Sequence, residues 1–301
     1  MKFYNTFNLN TVNVETIQAE WLFDKKVALD ILRLDKIHSV VSGNKWFKLK
    51  YYLSEAASSN KTTIATFGGA WSNHIVAVAF ACKEVSLQSV GIIRGEKPAV
   101  LSATLKKAVE YGMELHFVTR EEYRSKETIK QKFADNSWYW INEGGYGRLG
   151  AKGASEILKV TDISTYSHIV AAVGSGTMLA GLLLAAGSQK VIGISSMKKN
   201  VLLEKEILHL VAAEKINSTL QIIHDYHFGG YGKHPLPLID FINEVYSQHN
   251  LPLDIVYTGK TFYAIKDLTE KDFFEPGSRV LMIHSGGLQG NASLPLKVLA
   301  F

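Results

Sequence analysis

The chain has 301 residues, enough for two domains or for one large α/β domain with an ample hydrophobic core. Hydrophobic residues make up 47% of the sequence and charged residues 20%, a balance typical of a globular protein and not of a disordered one. The formal net charge is +5, and the lysines lie among acidic residues. Since no basic arm is present, we expect no binding to nucleic acid or to a membrane surface.

The single cysteine, Cys82, excludes an internal disulfide and a cysteine-based zinc site. A lone cysteine is more often a small core residue than a nucleophile, and we expect no bound metal. The first fifteen residues contain no apolar segment of signal-peptide length, and no apolar run reaches about 18 residues. These features predict a cytoplasmic protein without a membrane-spanning helix.

Short β-branched runs alternate with longer helical patterns along most of the chain. In chain order the patterns predict a strand at 61–69, a helix at 72–85, a strand at 89–95, a helix at 99–112, a strand at 115–119, a polar-faced helix at 120–136, a strand at 167–176, a helix at 177–187, a strand at 190–196, and two closing segments at 253–260 and 279–287. This alternation is typical of parallel βαβ units, with helices covering both faces of the sheet.

Three glycine-bearing turns fall at predicted strand ends, at 68–74, 174–178 and 284–287. Ligands of open α/β sheets bind at the carboxyl ends of the strands. In the turn at 174–178 a strand ends in Gly174-Ser175-Gly176-Thr177 and a helix begins at once. Glycine allows close backbone approach and free amides at a helix start favour an anion, so a phosphate is one candidate ligand and a plain turn is the alternative.

The turn at 68–74 has the same design with different side chains at its tip. Ser72 can cap the following helix, and amides after Gly69 could hold a carboxylate. Ser72 and Asn73 would then offer a hydroxyl and an amide to the same ligand. Helix capping alone is the competing interpretation.

Lys45 follows a short turn, Ser42-Gly43-Asn44, at the predicted start of a helix. The helix dipole disfavours a positive charge there, so a partly buried lysine at this position should have a lowered pKa. Nucleophilic and Schiff-base lysines need such a shift, although a solvated lysine is the alternative. Lys48 could reach back to an anion, whereas Lys50 is expected to be an ordinary charge.

A reactive lysine, an anion-binding glycine turn and a carboxylate-binding turn are together what a pyridoxal 5′-phosphate enzyme needs. On these motifs, SGNK, GGAWSNH and GSGT, the chain resembles pyridoxal-phosphate enzymes of fold type II, the tryptophan-synthase-β type. Within them it is similar to the group of D-cysteine desulfhydrases and 1-aminocyclopropane-1-carboxylate (ACC) deaminases, over about residues 32–287. The resemblance implies a homodimer and a small amino-acid substrate.

The fold that the resemblance implies has two domains, each an open, mostly parallel twisted sheet with helices on both faces. Residues 1–48 and 155–301 would form a larger cofactor-binding domain, and residues 49–154 a smaller domain closing over the site. The implied catalytic residues are Lys45, Tyr257, Tyr231 and Ser72. The implied cofactor-binding residues are Lys45, Asn73, Lys48, Gly174, Ser175, Gly176, Thr177, Thr258 and Ser285.

Two departures from the group bear on the substrate. Thr258 stands where ACC deaminases typically carry glutamate, and Ser285 where they carry leucine, while desulfhydrases tend to have hydroxyls at both positions. A carboxylate would keep the ring nitrogen of the cofactor protonated, whereas a hydroxyl can donate to a neutral nitrogen. That weaker electron sink suffices for a thiolate leaving group. The sequence therefore favours α,β-elimination from D-cysteine, giving a 2-oxo acid and ammonia, with ACC deamination as the alternative.

Two further hypotheses come from other classes of protein. Phe47 replaces an arginine of the group and Trp71 stands where glutamine is common, so bulky side chains could leave a cofactor-binding protein without turnover. A dinucleotide site at Gly174–Thr177 would require an acidic residue about 20 residues further on. The segment 190–199 has none, which disfavours that reading.

Overall fold

The computed structural model describes residues 9–133 and 135–301. Its strands are β1 (Val14–Ile17), β2 (Ala28–Arg33), β3 (Thr63–Gly68), β4 (Gln88–Arg94), β5 (Met113–Val118), β6 (Trp138–Ile141), β7 (His168–Val173), β8 (Lys190–Ser195), β9 (Thr219–Ile223) and β10 (Arg279–His284). Its α-helices are α1 (Glu20–Lys25), α2 (Asn44–Ser58), α3 (Asn73–Glu84), α4 (Ala103–Glu110), α5 (Lys126–Lys132), α6 (Arg148–Ser155), α7 (Thr177–Ala185), α8 (Leu203–Val211), α9 (Leu236–His249) and α10 (Thr258–Glu270).

Within the described residues the strands form two sheets. Six strands pair in the order β1-β2-β10-β7-β8-β9, and four pair in the order β5-β4-β3-β6. The β1–β2 pair is antiparallel and the other described pairs are parallel. The predicted α/β fold with two mostly parallel sheets is therefore confirmed. The domain boundaries at 48 and 154 stay a prediction, and residues 1–8 lie outside the description.

Helices cover both faces of the six-stranded sheet. Successive residues of a strand point to opposite sides, so neighbouring residues pack against different helices. Ile169 and Ile283 belong to a core cluster with residues of α7 and α8. Their neighbours Val170 and Met282 belong to a second cluster, with residues of α9 and α10. This two-sided burial explains why the central strands read as unbroken apolar runs.

Two of the predicted segments differ from the structure. The helix expected at 120–136 is divided, since a 3₁₀ turn at Glu122–Arg124 is followed by α5. Ser125 separates them with a non-helical ψ of 67°, and Ala134 lies outside the described residues. The closing segment at 253–260 is a turn that leads into α10 rather than a strand.

No helix in the described part of the chain is long and apolar enough to cross a membrane. Cys82 is buried in α3, as expected of a core residue, and burial raises the pKa of its thiol.

A buried ionic network joins the end of β2 to the end of β10. The Arg33 guanidinium is ion-paired with Asp35 at 2.7 Å and with Glu15. The Nδ1 atom of His284 lies 3.2 Å from Asp35 Oδ1, and its Nε2 donates to the Pro252 carbonyl at 2.8 Å. Because His284 is the last residue of β10, this network holds the glycine turn that follows it in place.

Replacing Glu15 with glutamine is expected to lower stability by about 1 kcal/mol at pH 7. Burial alone would raise the pKa of Glu15, but hydrogen bonds from Lys36, Arg33 and Asn13 lower it from 4.5 to about 2. A carboxyl with a lower pKa in the folded state stabilises the fold above its unfolded pKa, and this contribution is lost as the pH falls through the folded value.

Urea unfolding of wild type and Glu15→Gln between pH 2 and pH 7 measures this effect. The stability difference should be full above about pH 5 and vanish towards pH 2. Glu96→Gln, at an exposed carboxylate after β4, is the matched control and should follow wild type. A stability difference for Glu15→Gln that does not change with pH would contradict the assignment.

Candidate active site

The turn before Lys45 is docked on the turn that follows β10. Gly43 has φ +66°, and a Cβ atom built on it would lie 1.8 Å from the Ser285 carbonyl oxygen. The amide of Asn44 donates to that same oxygen at 3.2 Å. Only glycine allows this conformation and this close approach, so Gly43 places the first residues of α2 against the 284–287 turn.

Lys45 is partly buried in the first turn of α2, and its Nζ donates to Asn44 Oδ1 at 2.8 Å. Burial lowers the pKa of Lys45 from 10.5 to about 8, although the negative charge of Asp254 opposes the shift. The lowered pKa expected from the sequence is thus present, and its main cause is desolvation. An appreciable fraction of this amine is neutral near physiological pH.

Lys48 lies one turn further along α2 and is only 5% exposed. Its Nζ donates to the Gly144 carbonyl at 3.2 Å, and burial together with the charge of Lys45 holds its pKa well below the usual range. A Cβ atom on Gly144 would lie 3.4 Å from Ser175 Oγ. Lys48 therefore reaches the segment that faces the Gly174–Thr177 turn.

That turn joins β7 to α7. Gly176 is in the left-handed region at φ +78° and immediately precedes the helix, while the hydroxyls of Ser175 and Thr177 lie 3.2 Å apart. The first amides of an α-helix have no acceptor within the helix and carry the positive end of its dipole. With the Lys48 amine nearby, this turn is suited to a phosphate group.

The turn after β3 presents Ser72 and Asn73. Ser72 caps α3, its Oγ accepting from the Ile75 amide at 3.4 Å, so the capping interpretation holds. Asn73 Nδ2 donates to the Gly287 carbonyl at 3.3 Å, which ties this turn to the one after β10. Asn73 Oδ1 is buried and has no partner among the described residues. A buried acceptor of this kind is positioned for a ligand.

Tyr257 and Tyr231 come together although they are 26 residues apart in sequence. Their hydroxyl oxygens lie 3.5 Å apart and their rings meet edge to face. Burial raises the pKa of Tyr257 well above 10, and the neighbouring Tyr231 adds to this shift. Tyr257 therefore keeps its proton at neutral pH. The Lys260 amine donates to the carbonyls of His227 and Gly230, which fixes the loop that carries the 54% exposed Tyr231.

A Cβ atom on Gly174 would lie 3.2 Å from the Tyr257 ring, so the tyrosine pair borders the anion-binding turn. The structure thus gathers the predicted residues Lys45, Lys48, Ser72, Asn73, Gly174–Thr177, Tyr231, Tyr257, Thr258 and Ser285 on turns at the carboxyl ends of the strands and on the helix starts beside them.

The sequence led us to expect that the Thr258 hydroxyl donates a hydrogen bond to the cofactor. This hydroxyl donates to Asp254 Oδ2 at 2.7 Å, and a carboxylate can only accept, so the single hydroxyl proton is already committed. Ser285 is buried, and its carbonyl receives the Asn44 amide. In the described structure the Thr258 proton is therefore directed at Asp254, and donation from Thr258 to a ring nitrogen stays a prediction.

Sequence reasoning missed two buried polar residues at the site, Asp254 and His74. Asp254 lies four residues before Thr258, and an aspartate just ahead of a helix start could have indicated a cap. Thr66 donates to the Ile141 carbonyl, so it must accept from His74 Nε2, which leaves His74 Nδ1 as a bare acceptor. Burial, with the charges of Lys45 and Lys48, lowers the pKa of His74 far below 6.5, and the imidazole is neutral.

The two bulky residues that raised the hypothesis of an inactive protein occupy different environments. Phe47 is 2% exposed and packs in the main hydrophobic core with residues of α2 and α6. Trp71 is 41% exposed, in the turn after β3. Phe47 is thus a core residue, and a binding protein without turnover stays a hypothesis.

These side chains fit pyridoxal 5′-phosphate. Lys45 offers an amine for its aldehyde carbon, and the Gly174–Thr177 turn with Lys48 offers donors for its phosphate. The unpartnered Asn73 Oδ1 and the buried Thr258 offer polar contacts for its ring substituents. Ser72 and the first amides of α3 remain for a substrate carboxylate.

Comparison with known proteins supports this assignment. Residues 25–286 match the family described as pyridoxal-phosphate dependent enzyme. The chain is 33% identical over 285 residues to a Thermotoga maritima protein that carries the name of an ACC deaminase, covering 86% of this chain and 88% of that protein. It is 30% identical over 280 residues to a Pyrococcus horikoshii protein of the same name, covering 86% and 84%.

A plant relative carries two activities in its name. The mitochondrial bifunctional D-cysteine desulfhydrase/ACC deaminase of Arabidopsis thaliana is 29% identical over 280 residues, covering 83% of this chain and 70% of that protein. Among solved structures, an ACC deaminase homologue superposes with a TM-score of 0.79 at 26% identity, covering 93% of this chain and 90% of that one. A Helicobacter pylori cystathionine β-synthase, at 16% identity and a TM-score of 0.68, shares the fold.

Proposed function

The chain belongs to the pyridoxal-phosphate dependent enzymes, and within that family we propose that it catalyses α,β-elimination from D-cysteine, releasing a 2-oxo acid and ammonia. The observation that carries the proposal is the Lys45 amine. It is partly buried, has a pKa of about 8, and lies on a turn that contacts the Ser285 carbonyl. An amine of this kind can act as nucleophile and as base at neutral pH.

Pyridoxal 5′-phosphate, when bound, supplies an electron sink for the negative charge that develops at the substrate α-carbon. Lys45 would hold the cofactor covalently and, once released by the substrate amine, would take the α-proton on Nζ. Lys48 and the amides of Gly174–Thr177 would bind the phosphate, and Asn73 would orient the ring. Ser72 and the amides of α3 would bind the substrate carboxylate.

The tyrosine pair suits a leaving group that departs with a negative charge. Tyr257 remains a phenol at neutral pH, because burial raises its pKa, and its hydroxyl lies 3.5 Å from that of Tyr231. A thiolate leaving from the β-carbon could accept a hydrogen bond from this pair. Positioned donors aimed at developing negative charge contribute roughly 10²–10³-fold in rate.

One observation supports D-cysteine as substrate, since the plant relative is named for D-cysteine desulfhydrase as well as for ACC deaminase. Thr258, which stands where ACC deaminases typically carry glutamate, would lie at the ring nitrogen of the cofactor. ACC deamination is the second candidate. Several relatives are named for it, and the buried Asp254 carboxylate lies directly behind Thr258.

A substrate screen tests the proposal. Release of 2-oxo acid is measured with D-cysteine, L-cysteine, D-serine and ACC, and D-cysteine is expected to give at least a tenfold higher kcat/KM than the others. Faster turnover of ACC than of D-cysteine would reverse the assignment. A cofactor spectrum with no 2-oxo acid from any of the four amino acids would instead favour a binding protein without turnover.

A further inference from the structure

Asp254 is a buried carboxylate that the proposed function does not yet use. It is 1% exposed and lies in the turn that leads into α10. Its Oδ1 accepts from the amides of Val256 and Tyr257, both at 2.8 Å. Its Oδ2 accepts from the amide and the hydroxyl of Thr258, at 2.8 and 2.7 Å. Four donors converging on two oxygens is the arrangement of an ionised carboxylate.

The hydroxyl of Thr258 is oriented completely by Asp254. It donates its proton to Oδ2 of Asp254 and accepts from the Asp254 amide, also at 2.7 Å. A hydroxyl has one proton and two lone pairs. One lone pair therefore remains, and any other group that meets Thr258 Oγ1 meets an acceptor.

Asp254 also lies next to the turns that build the site. A Cβ atom on Gly287 would lie 3.4 Å from Asp254 Oδ2 and 3.4 Å from Asn73 Nδ2. The charge of Asp254 raises the pKa of Lys45 and of Lys260 against their desolvation. The carboxylate therefore acts electrostatically within the site rather than at a remote helix end.

We infer that Asp254 is a positioning residue that acts through Thr258, holding its hydroxyl as an acceptor so that the site favours a protonated ring nitrogen on the bound cofactor. The inference rests on the proposed function, which places Thr258 opposite that nitrogen. A carboxylate in direct contact with the ring nitrogen is not required, because Asp254 supplies the negative charge through the Thr258 hydroxyl. Thr258 then no longer excludes substrates that need a strong electron sink, including ACC.

The test uses the holoenzyme reconstituted with pyridoxal 5′-phosphate labelled with ¹⁵N in the ring. The ¹⁵N chemical shift separates a protonated from a neutral ring nitrogen without any substrate. Wild type and Thr258→Ser are expected to show the protonated form at pH 7. In Asp254→Asn and Thr258→Val the protonated fraction should fall at least tenfold, with kcat for D-cysteine falling roughly ten- to a hundredfold at similar KM.

Asn291→Ala is the matched structural control. Asn291 braces the same turn, accepting from the Ile255 amide at 3.1 Å and donating to the Leu253 carbonyl at 3.1 Å, and its side chain makes no hydrogen bond to Asp254 or Thr258 in the described structure. It should reduce stability while the ring nitrogen stays protonated. A merely structural role for Asp254 predicts the same ¹⁵N shift in Asp254→Asn as in wild type, and that result overturns the inference.

Two further results would also overturn it: a neutral ring nitrogen in the wild type, or a protonated one in Thr258→Val. If Asp254→Asn does not fold, a neutral ring nitrogen in wild type or a protonated one in Thr258→Val still overturns the inference. Failure of the proposed function gives a different pattern, since a protein that turns over none of the four amino acids still yields a readable ¹⁵N spectrum. The two outcomes are therefore distinguishable.

Discussion

Lys45→Ala is expected to abolish both the visible absorbance of the bound cofactor and the release of 2-oxo acid, with turnover reduced by roughly 10³-fold or more. The substitution removes the amine that would hold the cofactor and move the α-proton. Burial and the Asn44 contact already hold this amine in place with a pKa of about 8. Absorbance spectra and a 2-oxo acid assay on the same preparation measure both effects.

Lys50→Ala is the control for Lys45→Ala, because it removes a lysine from the same helix. Lys50 is ion-paired with Glu156 at 2.6 Å on a partly exposed surface, so its loss should cost at most about 1 kcal/mol of stability. Spectrum and turnover of Lys50→Ala should match wild type. If Lys45→Ala kept an unchanged spectrum and turnover, another group would have to carry the cofactor, and the assignment of Lys45 would be wrong.

Gly43→Ala should have the largest effect on stability, about 3 kcal/mol or more, together with loss of cofactor binding. The backbone at φ +66° disfavours a side chain, and the added methyl would lie 1.8 Å from the Ser285 carbonyl oxygen. Relief of that clash must separate the start of α2 from the turn after β10, which moves Lys45. Urea unfolding and a cofactor titration monitored by absorbance test the two parts.

Gly95→Ala separates backbone strain from the clash. Gly95 also has a positive φ, +109°, but an added Cβ would meet no atom of the described residues within 4 Å. It should cost about 1 kcal/mol and leave cofactor binding unchanged. Equal destabilisation by Gly43→Ala and Gly95→Ala would show that the contact with Ser285 is not essential.

Local sequence alone predicted much of the fold and the main turns of the site. The β-branched runs at β3, β4, β7, β8 and β10 are unbroken because both faces of each sheet are covered, and the glycine turns follow three of them directly. Chain neighbours set these features, since a strand, its turn and the next helix lie within about 15 residues. The lowered pKa of Lys45 was also predicted, but its main cause is burial, which the tertiary structure provides.

Contacts between distant segments decided the rest. The pairing of Tyr231 with Tyr257 and the docking of Gly43 on Ser285 depend on residues that are far apart in sequence. Thr258 shows the reason most clearly. Its residue type says that a hydroxyl is present, but only the position of Asp254 decides which way the proton points. A single proton cannot serve two acceptors, so the tertiary structure, and not the residue type, determines what Thr258 can offer a ligand.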